Sequence, residues 1–335
     1  MSMRARRIAT VMVFALVSWG LLSAEQQPGN LHVPHVGYLG FRPLTESGSI
    51  EVVTALKEGL RDLGHAEGRD YVLDLRSADN DADRFPALIS ELTRLQVRLI
   101  FAPSTPAAVA IHKANPAMAI VVRGPDIVGA GLARTASHPG GMVTGIDEVG
   151  TGDTDKRLRL LKQAVPAISR VAVLGSAPSE AGHARAVAEA EEAAKAIGVT
   201  LKVFRVSATT DLDRIFASLR SDKVDALLCS GGILPRPIEQ RIVELAARHR
   251  LPAMYPAIDY VRLGGLLSYG YRNAEMIRAA APYVDKILKG ANAGDLPLTI
   301  WDRYYLTVNA KAAAVFDLTL PTAFLSQADE VVKWD

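Results

Sequence analysis

Residues 98–113 read Arg98-Leu99-Ile100-Phe101-Ala102-Pro103-Ser104-Thr105-Pro106-Ala107-Ala108-Val109-Ala110-Ile111-His112-Lys113. The apolar run Arg98 to Ala102 is short enough for a buried strand, and Pro106 to Lys113 has the composition of a helix. Between them stand two hydroxyl residues and a proline in a first-turn position, where its missing N–H is not needed. A strand that ends in a helix start, followed by a second apolar run from Ala119 to Arg123, is a βαβ unit.

The same alternation extends in both directions. Upstream, Val33 to Leu39 reads as a buried strand. Ser49 to Leu63 follows as a helix with Val52, Val53, Leu56, Leu60 and Leu63 on one face, ended by Gly64. Tyr71 to Leu75 reads as a strand and Ala82 to Leu95 as a helix. After about residue 150 the rhythm restarts. Helices are expected at Lys156 to Ala164, Ser179 to Ile197, Leu212 to Leu219 and Pro237 to Arg248. Strands are expected at Val171 to Leu174, Thr200 to Val206, Ala226 to Cys229 and Pro252 to Tyr255. The predicted class is α/β: two Rossmann-like lobes with parallel sheets. Three extended stretches are expected to cross between them: Pro139 to Gly145, Gly264 to Gly270, and one near Leu296 to Trp301. Several short crossings make a multi-segment hinge about a cleft. Asn273 to Lys289 reads as an amphipathic helix that Pro282 should kink.

At the amino end, Arg4, Arg6 and Arg7 precede an uncharged run from Ala9 to Ala24. At 16 residues it is shorter than the ~20 a spanning helix needs, and it has the parts of a signal peptide. The organisation expected is a signal peptide at 1–24 and a linker at 25–31. An N-terminal lobe follows from 32–145 plus about 271–300, and a C-terminal lobe from 146–270 plus about 301–335. Export to the periplasm with cleavage of the signal is expected, and no membrane insertion after it.

Without the three signal arginines the chain carries 35 basic and 36 acidic residues and no Lys/Arg block, so nothing points to nucleic acid or an anionic membrane. One cysteine, Cys229, cannot form an internal disulfide. An exported fold of this kind must therefore rest on core burial, and with 49% hydrophobic but only 6% aromatic residues that core is aliphatic. The seven histidines have no metal-ligand spacing, and no Gly-x-Ser-x-Gly elbow occurs. No catalytic set, metal site or cofactor site is expected.

Ligands of open parallel sheets sit beyond the carboxyl ends of the strands. That rule selects Phe41, Ser104, Thr105 and Asp126 in the first lobe. In the second it selects Ser176, Ser230, Gly231 and Tyr255, with Tyr269 at the hinge. The Ser104-Thr105-Pro106 turn offers either free helix N–H groups for a carboxylate or a plain N-cap. Asp126 offers an acceptor for an ammonium group or serves as a turn residue. Phe41, Tyr255 and Tyr269 offer rings for stacking or belong to the core.

From about Val33 to Val332 the chain resembles the substrate-binding proteins of ABC transporters, in the tryptophan-binding-like periplasmic group. The stretches that carry the resemblance are Gly59-Leu60-Arg61-Asp62-Leu63-Gly64, Ser104-Thr105-Pro106-Ala107-Ala108 and His138-Pro139-Gly140-Gly141-Met142-Val143-Thr144-Gly145. Further along come Gly264-Gly265-Leu266-Leu267-Ser268-Tyr269-Gly270, Tyr283-Val284-Asp285-Lys286-Ile287-Leu288-Lys289-Gly290, Asp295-Leu296-Pro297 and Ala328-Asp329-Glu330-Val331-Val332. The resemblance implies a type I periplasmic-binding fold and a monomeric receptor that closes on a small solute, such as an amino acid or another carboxylate. It implies delivery to a permease and an ATPase, with Ser104 and Thr105 holding a ligand carboxylate. A sensory binding module, or a secreted α/β enzyme using the same crevice, are the other readings of this architecture.

Overall fold

The computed structural model describes residues 33–148, 153–175, 180–206, 208–230, 234 and 236–333. The expected signal peptide and linker lie outside the described residues. The chain opens with β1 (His35–Gly40), α1 (Ser47–Asp62), β2 (Val72–Ser77), α2 (Phe85–Arg94), β3 (Leu99–Ala102), α3 (Thr105–Ala114), β4 (Ile120–Gly124) and β5 (Val143–Asp147). It continues with α4 (Asp153–Ala164), β6 (Arg170–Gly175), α5 (Glu180–Ile197), β7 (Thr200–Arg205), α6 (Thr209–Ser221), β8 (Ala226–Cys229), α7 (Arg236–Arg248), β9 (Ala253–Tyr255), α8 (Ile258–Arg262) and β10 (Leu267–Gly270). Then come α9 (Asn273–Leu288), β11 (Thr299–Ile300), β12 (Tyr305–Asn309), α10 (Ala310–Val315), α11 (Thr322–Leu325) and β13 (Glu330–Val332).

Two sheets result. The first has the order β11-β5-β4-β3-β1-β2 and is parallel throughout. Its strands are buried on both faces, as a sheet with helices on each side requires. Val36, Tyr38, Phe101, Val121 and Ile146 meet α1 and α9 on one face. Leu39, Ile100, Ala102, Ile120 and Val122 meet α2 and α3 on the other. The second sheet has the order β13-β12-β10-β9-β8-β6-β7. One face packs on α4, α5, α10 and α11, and the other on α6, α7 and α8.

The second sheet is not purely parallel, which corrects the sequence expectation. β12 runs antiparallel to β10, with Gly270 opposite Tyr305 and Leu267 opposite Val308. The cause is the link between β11 and β12. The short segment Trp301–Tyr304 leaves the first sheet and delivers the chain at the carboxyl end of β10, so it can only run back.

Two expected crossings also prove to be strands. The stretch Pro139 to Gly145 leads into β5, which belongs to the first sheet through Asp147. Gly264 to Gly270 contains β10 of the second sheet. After β10 the chain passes to α9, which packs against the first lobe along α1. The α1–α9 crossing is close at Gly59, where a Cβ would lie 2.8 Å from the Ala281 Cβ and 3.2 Å from the Arg278 Cα. α9 continues through Pro282 as one helix.

Candidate functional site

The carboxyl ends of β1, β3, β4 and β5 carry the first-lobe residues of interest. Ser104 caps α3 in extended backbone conformation, its Oγ accepting the Ala107 N–H at 3.4 Å. The Thr105 hydroxyl donates to the Pro125 carbonyl at 2.6 Å and ties the start of α3 to the turn after β4. Gly124 makes this approach possible, since a Cβ there would fall 2.5 Å from Thr105 Oγ1. The cap reading of Ser104 therefore holds. A capping hydroxyl accepts from the helix and keeps its own proton for a second partner.

Asp126 follows in left-handed conformation, φ 58°. Its turn is held by Asp147, which the sequence pattern did not single out. The Asp126 N–H donates to Asp147 Oδ1 at 2.9 Å and the Ile127 N–H donates to Oδ2 at 3.1 Å. Asp147 is 1% exposed. Burial pushes its carboxyl up to about 6, against the downward pull of the two N–H bonds.

The next residue begins a second buried polar group that sequence reasoning missed. Arg123 Nε lies 2.5 Å from Glu148, its Nη2 donates to Asn273 at 2.6 Å, and its guanidinium sits 4.8 Å over the Tyr271 ring. Burial pulls the Arg123 pKa down, and Glu148 with Tyr271 more than offsets it, so the charge is held firmly. This cluster joins β4 to the crossing that leads from β10 into α9. The only signal in sequence was an Arg at the end of an otherwise apolar strand.

On the second lobe, the Ser230 N–H donates to the Leu174 carbonyl at 2.9 Å, which sets the turn after β8. Tyr269 is half-buried, its ring stacked on Tyr304 at 5.7 Å, and its carbonyl accepts from Arg157 Nε at 2.7 Å. Ser176 and Gly231 lie outside the described residues. Tyr255 belongs to the core of the second lobe: it is 1% exposed and stacks on Tyr260 at 4.9 Å. Phe41 is half-buried against Phe85, 6.4 Å away, on the first lobe. The Cys229 thiol is fully enclosed, and burial pushes it up to about 12, which leaves it unreactive.

The two lobes touch across the cleft. Arg42, in the loop after β1, pairs with Glu239 of α7 at 2.6 Å and donates to the Leu234 carbonyl at 2.5 Å. Arg262 of α8 reaches Glu51 of α1 at 3.4 Å, and Asn273 donates to Asp259 at 3.3 Å. Among the described residues no group of three or more His, Cys, Asp or Glu is placed to hold a metal ion. Among the same residues no helix is long and apolar enough to cross a membrane.

A family model described as ABC transporter substrate binding protein matches residues 42–332. The curated "Tyrosine-binding protein" of Clostridioides difficile (strain R20291) is 24% identical over 282 residues, which span 84% of this chain and 81% of that protein. Among solved structures, a conserved domain protein from Vibrio cholerae O1 biovar El Tor matches with a TM-score of 0.80 at 21% identity, over 89% of this chain and 99% of that one. An ABC domain in complex with L-Trp from Streptococcus pneumonia matches with the same TM-score of 0.80, identity of 21% and coverage of 89% and 99%. The ligand-free, open structure of a substrate-binding protein with adhesive properties from Clostridium difficile matches with a TM-score of 0.67 at 22% identity, over 90% and 100%. These likenesses establish the type I periplasmic-binding fold. The chain belongs to the family of ABC transporter substrate-binding proteins, the non-catalytic periplasmic components that hold a small solute for an importer.

Proposed function

We propose that the solute is an amino acid, or another small carboxylate, captured between the lobes by hinge closure and passed to the importer's permease and ATPase. The observation that carries this reading is the pairing of opposite polarities at neighbouring strand ends. The start of α3 presents the Ser104 hydroxyl and a helix N-terminus, which favours a carboxylate. Asp126 stands beside it on the next strand end, joined through the Thr105–Pro125 hydrogen bond of 2.6 Å, and suits an ammonium group. Phe41 and Tyr269 supply apolar surface from the two lobes. Ser230 supplies a polar group on the second-lobe side, to which the sequence reading adds Ser176 and Gly231, both outside the described residues. The name of the C. difficile relative and the L-Trp in the S. pneumonia structure support an amino acid. The signal peptide at 1–24 is cleaved on export in this reading, and the mature chain acts as a monomer.

The test is a thermal-shift screen of the mature protein against amino acids, aromatic acids, nucleosides and sugars. A ligand at 100 times its dissociation constant stabilises the folded state by about 2.7 kcal/mol. The expected hit is an amino acid whose shift vanishes when its carboxylate is amidated. A sugar or nucleoside hit, with no response to any carboxylate, overturns the proposal.

A further inference from the structure

Arg42, in the first-lobe loop after β1, bonds through its side chain to a helix of the second lobe. Its Nη2 donates to Glu239 Oε1 at 2.6 Å and to the Leu234 carbonyl at 2.5 Å, and its Nη1 approaches Glu239 Oε2 at 3.5 Å. Glu239 sits in the first turn of α7, its side chain only 6% exposed, and Arg236 approaches its other oxygen at 3.4 Å. The contact is therefore desolvated, unlike the Arg262–Glu51 pair at the rim, whose arginine is 46% exposed.

The same guanidinium has an alternative partner on its own lobe. Arg42 Nη1 lies along the start of α1, 3.9 Å from where a Cβ of Gly48 would be. Glu46, the residue before that helix, is within electrostatic reach of Arg42, and its Oε2 is buried without a hydrogen-bond partner among the described residues. A buried carboxylate oxygen with no donor is costly, and a side-chain swing of Arg42 would supply one.

We propose that Arg42 is an interlobe latch with two seats: Glu239 and the Leu234 carbonyl when the cleft is closed, and Glu46 when it is open. Opening then does not strand the arginine charge, and the strength of the two seats sets how much of the solute-free protein is closed. That fraction scales the apparent affinity for any solute, because the dissociation constant is divided by the competent population. The latch is a positioning device, and it goes beyond the identity of the solute.

The experiment needs no ligand. Small-angle X-ray scattering of the solute-free mature protein is measured for the wild type, Glu239→Gln and Glu46→Gln, with circular dichroism to confirm folding. The wild type is expected to scatter as the form in which Arg42 meets Glu239. Glu239→Gln keeps the shape but removes the charge, and its closed-to-open ratio is expected to fall at least tenfold, with a larger radius of gyration. Glu46→Gln weakens the open seat and is expected to stay as compact as the wild type. If Glu239→Gln does not fold, Glu239→Asp, which keeps a charge beside Arg236 but draws the carboxylate back from Arg42, answers the same question. Superposable curves for wild type and the closed-seat variant overturn the proposal. So does opening by Glu46→Gln equal to that by Glu239→Gln. Neither result bears on whether the solute is a carboxylate.

Discussion

The Asp147 carboxyl gives a pH signature within the ordinary working range. It is 1% exposed, and burial lifts its pKa from the ordinary 3.8 to about 6, even though the Asp126 and Ile127 N–H groups both favour its charged form. A rise of this size corresponds to about 3 kcal/mol. Below about pH 4 the group is protonated in both folded and unfolded chains. Between about pH 4 and 6 the folded chain holds a proton that the unfolded chain has lost. Stability therefore falls as pH rises through this window and is level above it, as far as this group is concerned.

Other carboxylates push the opposite way. Asp225 and Asp285 are held below their ordinary values, against the lift of burial, by backbone N–H bonds to Asp225 and by Lys289 and His65 beside Asp285. Their stabilisation grows with pH, so the Asp147 contribution shows only as a difference. Asp147→Asn supplies it. The amide oxygen can accept one of the two N–H groups, while the amide nitrogen faces the other and leaves it unsatisfied, at a cost of about 1–3 kcal/mol. That cost does not titrate. The destabilisation of the variant, from urea unfolding at intervals from pH 4 to 7, is thus expected to shrink by about 3 kcal/mol as pH rises. In the wild type the Asp126 and Ile127 amide resonances are expected to titrate with a midpoint near the same about 6. A variant penalty independent of pH, with amide midpoints near 4, would refute the reasoning.

Three further outcomes are expected. Gly59→Ala places a methyl 2.8 Å from Ala281 at the α1–α9 crossing and is expected to cost about 1–3 kcal/mol, measured by urea midpoint. Arg123→Met leaves Glu148 buried without the guanidinium 2.5 Å away and is expected to cost about 3–5 kcal/mol, most of it recovered in the double variant with Glu148→Leu. Ser104→Ala removes the α3 cap and is expected to lower stability by about 1 kcal/mol in the solute-free protein, with an additional loss in the thermal shift produced by the cognate carboxylate.

These residues also mark how far the sequence could be read. Strands such as Leu99–Ala102 and helices such as Ser47–Asp62 were legible because their burial leaves a period in the chain, and the Ser-Thr-Pro turn was legible because capping is a local requirement. β12 was not, because its direction depends on where a short link deposits the chain, which no periodicity records. The polar residues of the cleft were harder for a different reason. Arg123 ends an apolar strand and Asp147 begins an acidic pair, patterns that ordinarily mean a solvent-facing strand end. Arg123 is enclosed where α9 returns to the first lobe after β10 and brings Asn273 and Met276 with it, and Asp147 where the turn after β4 folds onto its carboxylate. Arg42 and Glu239 lie 197 positions apart, and neither stretch hints at the other. A charge that neutralises its partner across a hinge leaves no local mark, since each half alone is an unremarkable surface residue. Under the proposed latch, the residues that govern closure are therefore the ones least visible in a single lobe's sequence, whereas those that build each lobe are the most visible. It follows that variation at Arg42, Glu46 and Glu239 can retune the open–closed balance while leaving both sheets, and every motif that identifies the family, untouched.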